Sequence, residues 1–111
     1  MITTHVLDTS RGGPAEGVHV LLEVRQAADW NAVGRGVTGA DGRLVALPAD
    51  GMSSPGTYRM TFDTGGYQRD RGVASPFFPE VTVTFSVRDA AEHYHVPLLL
   101  SPYGYSTYRG V

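Results

Sequence analysis

Two histidines and one arginine, His5, Arg43 and His95, lie far apart in a chain of 111 residues, each on or beside a stretch with strand character. An imidazole titrates near neutral pH, so it can take or return a proton without special tuning. A guanidinium stays charged and presents planar donors suited to a developing oxyanion. Together these types could activate a water, hold a tetrahedral oxyanion and protonate a leaving group, as a hydrolysis needs. Spacing alone does not assign those roles. A lone histidine in a strand is more often a satisfied structural or surface residue, and that reading holds for His19 and His93. On pattern alone it leads for His5 and His95 too, while Arg43 after a turn reads as a solvated chain reversal.

The densest run of polar chemistry is His93 to Val111. It sets two histidines, four tyrosines and Arg109 around an apolar run and a Ser101-Pro102-Tyr103-Gly104 turn. Side chains two apart on a strand share a face, so His93 and His95 look one way and Tyr94 the other. Ser106 and Tyr108 likewise share one face, and Tyr105 and Arg109 the opposite one. His93 and His95, with His5 as a third, could form a metal site, but two histidines on a strand are a weak signal. No metal ligand set and no cofactor is assigned.

These residues must be positioned by strands. Val18, Val20, Leu22 and Val24 alternate with His19, Leu21, Glu23 and Arg25. Tyr58, Met60 and Phe62 alternate with polar neighbours, and Val81, Val83, Phe85 and Val87 repeat the pattern. Period two means one face on a core and the other on solvent or a partner. Strands are expected near 3–9, 17–26, 30–38, 43–47, 56–63, 80–88, 92–100 and 103–109. Gly39-Ala40-Asp41-Gly42 reads as a hairpin turn and residues 49–56 as a surface loop. Residues 65–72 could hold one or two helical turns. The reading is all-β: a two-sheet, eight-strand sandwich with at most one short helix, in one domain over residues 1–111.

Composition narrows the function classes. A net charge of −2 gives no basic field for nucleic acid. With no cysteine there is no disulfide, thiolate nucleophile or Cys-ligated zinc. No apolar stretch approaches the ~20 residues a membrane helix needs. The N-terminus carries no basic segment followed by an apolar one, so a cytoplasmic location is expected.

Several segments together resemble the transthyretin-like family. Thr3-Thr4-His5-Val6-Leu7-Asp8-Thr9 with Gly13-Pro14-Ala15-Glu16-Gly17-Val18 is similar to its opening strand and turn. Thr38-Gly39-Ala40-Asp41-Gly42-Arg43-Leu44 is similar to its third hairpin and arginine. The closing Tyr108-Arg109-Gly110-Val111 resembles the Tyr-Arg-Gly-Ser ending of the branch that hydrolyses 5-hydroxyisourate, with valine in place of the last serine. The likeness runs from about Ile2 to the end and is less specific over residues 47–80.

The resemblance implies a cofactor-independent hydrolase of urate breakdown. It moves His5 and His95 to the pair that activates water and carries protons, and Arg43 to the group that orients substrate and stabilises charge. It also implies substrate contacts from Tyr108, Arg109, Gly110, Val111 and Ser106. It further implies a homotetramer, a dimer of dimers, with sites in the channel where the dimers meet. A non-catalytic carrier of a small aromatic ligand in the same channel is the alternative. Such a carrier has no need of the histidine pair and arginine.

Overall fold

The computed structural model describes residues 1–51 and 54–111. Met52 and Ser53, within the expected loop at 49–56, lie outside the described residues. The strands are β1 (Ile2–Asp8), β2 (Gly13–Pro14), β3 (His19–Gln26), β4 (Asp29–Val37), β5 (Arg43–Leu47), β6 (Gly56–Phe62), β7 (Val81–Val87), β8 (Tyr94–His95), β9 (Leu98–Ser101) and β10 (Gly104–Thr107), with a helix α1 (Thr64–Asp70).

Strand β1 organises the site sheet. Its burial alternates without a break: Ile2, Thr4, Val6 and Asp8 face the core while Thr3, His5 and Leu7 face outward. Its first half pairs antiparallel with β5 and parallel with β8, and its second half pairs with β2 and β9. Strand β10 closes the edge on β9. The second sheet runs β4-β3-β6-β7, antiparallel throughout. The core fills the space between the sheets. Ile2, Val6, Leu98 and Leu100 from the first sheet belong to one buried cluster with Leu22, Tyr58, Met60 and Phe62 from the second.

The sandwich and its main strands follow the expected pattern, with three differences. The strand expected over 92–100 is interrupted at Val96-Pro97. Pro97 has no N–H for the ladder, and the Val96 carbonyl instead accepts from Thr4 Oγ1 at 2.6 Å. Taking β8 and β9 as one broken strand, and β2 as a two-residue addition beside β1, returns the count to eight. Second, Gly39 to Gly42 is a tight turn, with Gly42 N–H donating to the Gly39 carbonyl at 2.8 Å, but it is not a hairpin. Strand β4 pairs with β3 and β5 with β1, so the turn carries the chain from one sheet to the other. Third, the helix begins one residue earlier than expected and ends two sooner. Asp63 caps its start by accepting the Gly66 N–H at 2.9 Å.

Candidate active site

Register brings the three distant residues onto one outward face. His5 lies directly across from Arg43 on β5, and Thr3 lies across from His95 on β8. Paired residues in neighbouring strands project on the same side with Cβ atoms about 4.5–5.5 Å apart. The Asp41-Gly42 turn fixes this corner. Gly42 sits at φ +78° and accepts the Val6 N–H at 2.8 Å, and a Cβ there would stand 2.4 Å from the Val6 carbonyl oxygen. Only glycine fits that conformation and that approach. The Asp41 carboxylate accepts the Arg43 N–H at 3.0 Å, which sets the start of β5.

Each imidazole on this face has a defined partner. His5 Nε2 lies 2.9 Å from the Asp41 carbonyl oxygen. A carbonyl only accepts, so His5 carries its proton on Nε2 and, when neutral, leaves Nδ1 as its basic nitrogen. His95 Nδ1 lies 2.8 Å from Thr3 Oγ1, and the same oxygen meets His93 Nε2 at 2.7 Å. Burial, then the charges of Arg43, His93 and His5, hold His95 below the ordinary 6.5. It is therefore neutral, and able to accept a proton, at pH 7.

An open cleft of about 350 Å³ covers this corner, lined by Thr3, Asp41, Arg43, His93, His95 and Val111 among others. That volume suits a purine-sized molecule. The chain end folds back to form one wall. Gly110 N–H donates to the His95 carbonyl at 2.8 Å, and a Cβ on Gly110 would stand 2.5 Å from His95 Cδ2.

The remaining sequence candidates are placed elsewhere. Arg109 turns away, pairing with Glu92 at 2.7 Å and lying over the Tyr94 ring at 4.6 Å. Tyr108 and Arg109 line a separate depression of about 150 Å³ with Val83, Phe85 and Tyr94. Ser106 is exposed on β10, across from Leu99. Through Leu99 and Leu7 its register continues the face that carries His5, two strands away.

His93, read from sequence as an ordinary surface residue, enters the cleft beside His95, their ring centroids 6.2 Å apart. The His-x-His alternation carried that signal. Thr3 was visible only as part of a motif. Among the described residues no group of three or more His, Asp or Glu side chains is arranged to hold a metal ion. A cavity of about 380 Å³ on the opposite sheet is lined by His19, Arg35 and Glu80, whose side chains form no hydrogen bond among the described residues.

A family model described as HIUase/Transthyretin matches residues 2–110. The chain belongs to the HIUase/transthyretin family. A probable 5-hydroxyisourate hydrolase of Caenorhabditis elegans is 49% identical over 98% of this chain and 80% of its own length. The solved structure of Klebsiella pneumoniae 5-hydroxyisourate hydrolase superposes with a TM-score of 0.81 at 35% identity, covering 99% of this chain and 98% of that one. Sea bream transthyretin in complex with thyroxine superposes with a TM-score of 0.90 at 32% identity, covering 99% and 94%. Both kinds of relative share the fold, so the backbone alone does not separate them.

Proposed function

We propose that this protein hydrolyses 5-hydroxyisourate, opening its six-membered ring to give 2-oxo-4-hydroxy-4-carboxy-5-ureidoimidazoline. The observation that carries this reading is that Arg43 and His95 line one cleft while His5 lies across from Arg43 on the same exposed sheet face. The substrate is small, planar and rich in carbonyls. Water attacks a ring carbonyl, the C–N bond breaks and the leaving nitrogen takes a proton. The two imidazoles move the protons, and the Arg43 guanidinium orients the substrate and holds the oxyanion. Val111 and the Gly110 backbone bound the cleft on the side of the chain end. Ser106, Tyr108 and Arg109 come to the substrate, in this reading, through assembly.

The proposed assembly is a homotetramer. Strands β7 and β10 are the last strands of their sheets, and residues of both edges line one depression, so they lie on the same side of the sandwich. Edge pairing there would extend both sheets at once. Two such dimers meeting on the exposed β1-β5 face would enclose the cleft.

The test mixes purified protein with freshly generated 5-hydroxyisourate and follows the ultraviolet absorbance. Decay far above the spontaneous rate is expected. Decay at the spontaneous rate would remove the hydrolase reading.

A further inference from the structure

We propose that the Thr3 hydroxyl is the central link of a proton relay joining half-buried His95 to exposed His93 at the rim of the same cleft. This rests on the hydrolase reading above and adds two residues to it. Thr3 Oγ1 lies 2.8 Å from His95 Nδ1 and 2.7 Å from His93 Nε2. A hydroxyl has one proton to donate. At most one ring can receive it, so the other ring must donate its own N–H to the same oxygen.

Two arrangements place the hydroxyl proton on one of the rings and so link them. In the first, His95 donates Nδ1–H to Thr3, and Thr3 donates to His93 Nε2. Neutral His95 then keeps its lone pair on Nε2, which has no hydrogen-bond partner among the described residues and is left to take a proton from water. In the second, the order of donors is reversed, and His95 carries its hydrogen on Nε2, ready to return it. The choice of base or acid at His95 is thus written in the direction of the Thr3 hydroxyl.

The chemistry needs an exit. Water forms a C–O bond to the ring carbonyl, and the C–N bond breaks. One proton of that water ends on the leaving nitrogen. The other is lost when the new carboxylic acid ionises at neutral pH. An amide or urea nitrogen is not basic, so it does not absorb this second proton, and one proton per turnover must leave the cleft. His95 is half-buried, whereas His93 is exposed. When His95 becomes an imidazolium, Nδ1–H passes to Thr3 Oγ1 as the Thr3 proton passes to His93 Nε2. Each transfer breaks one bond to hydrogen and forms one. His93 then releases a proton from Nδ1 to solvent, which leaves the chain in the second arrangement. When His95 gives its Nε2 hydrogen to the leaving nitrogen, the Thr3 proton passes to His95 Nδ1, His93 passes Nε2–H to Thr3 and takes a proton from solvent at Nδ1, and the first arrangement is restored. The groups facing His95 favour this direction: Arg43 from β5, His5 from β1 and His93 on its own segment all oppose a lasting charge on it.

Thr3 and His93 act through His95, so they are positioning and relay residues. Thr3→Val keeps the β-branched shape and removes the hydroxyl, Thr3→Ser keeps the hydroxyl, and His93→Gln removes the outer acceptor. In dilute phosphate, Thr3→Val and His93→Gln are expected to lower kcat roughly tenfold, less than the loss of a direct proton-transfer group. KM should stay within about twofold of the parent value. Added imidazole buffer should restore kcat in both, and Thr3→Ser should resemble the parent. An unchanged kcat in Thr3→Val, a loss that imidazole does not relieve, or an equal loss in Thr3→Ser would overturn the relay.

Nitrogen-15 NMR titration of the two rings gives a readout independent of turnover. Coupled titration of His93 and His95 that separates in Thr3→Val supports the relay, and independent titration in the parent protein overturns it. A parent protein that fails to accelerate substrate decay would instead overturn the hydrolase reading, and the NMR result then decides the Thr3 linkage alone.

Discussion

Removing either imidazole should cost a proton-transfer step. His5→Ala and His95→Ala are each expected to lower kcat by about 10²–10⁴-fold in steady-state assays. Arg43→Lys should not recover the loss in Arg43→Ala, because an ammonium lacks the planar fork of donors. Acid dependence follows from His95, whose pKa is lowered by burial and by Arg43, His93 and His5. As a base it works when neutral. The acid limb of kcat/KM should therefore fall below the ordinary histidine value of 6.5 and move upward in Arg43→Gln, where the nearby charge is gone. The same shift bears on stability. The folded value lies below the unfolded one, so the contribution of His95 is full above about 6.5 and is lost as pH falls from there toward the folded value, because the unfolded chain takes the proton first. At the chain end, Val111→Ser adds a hydroxyl to the cleft wall and should raise kcat/KM severalfold, equivalent to about 0.5–1.5 kcal/mol. Gly110→Ala should reduce kcat, since its Cβ would meet His95 Cδ2 at 2.5 Å. Parent-like kinetics in that variant would mean the tail moves aside without disturbing the ring.

Strand β1 owes its position to contacts at both ends. At the site end, β5 and β8 flank it. At the other end, buried Asp8 accepts from Tyr67 of α1 at 2.8 Å and from the Ser10 hydroxyl at 2.6 Å. Arg71 covers the Tyr67 ring at 3.9 Å. Burial of Asp8 opposes its charge, but the hydrogen bonds from Ser10, Tyr67 and nearby backbone outweigh it and hold the carboxyl below 3.8. Its stabilising contribution is therefore present at neutral pH and fades as pH falls through the unfolded value toward the folded one. Tyr67→Phe leaves Asp8 short of a donor and should cost about 1–3 kcal/mol in urea unfolding. Activity at neutral pH should persist, because the clasp lies on the core side of β1 and not on the face of His5. Full stability in Tyr67→Phe would mean that water replaces the phenol without loss.

A lone sandwich leaves the site face uncovered. Val45, two residues beyond Arg43 on β5, lines the cleft and is 53% exposed. Large apolar groups beside a polar cleft suit a surface that another copy covers. The expected mass in light scattering at micromolar concentration is that of four chains. Charge introduced at Val45 should split the tetramer and lower activity together, because the cleft would lose its opposite wall. A monomer with full activity would contradict the assembly.

The sandwich was legible because alternation in residues 18–24, 58–62 and 81–87 leaves a strand one way to bury its apolar side. The Ser101-Pro102-Tyr103-Gly104 corner was legible for a similarly local reason: proline and glycine restrict where the chain reverses. Pairing was not legible. Nothing local in Gly39 to Gly42 says that the turn links two sheets, because hydrogen-bond partners are chosen by the whole fold. The break at Pro97 could be read in hindsight from a missing donor, yet the rescue of the Val96 carbonyl by Thr4 needed long-range register. The types of His5, Arg43 and His95 were compatible with proton transfer and oxyanion binding, and it was the family resemblance that singled them out. Only tertiary structure set His5 across from Arg43, brought His93 and His95 to one hydroxyl and turned Arg109 away to Glu92. Side-chain chemistry is a property of each residue, whereas proximity between residues 90 apart belongs to the packed chain.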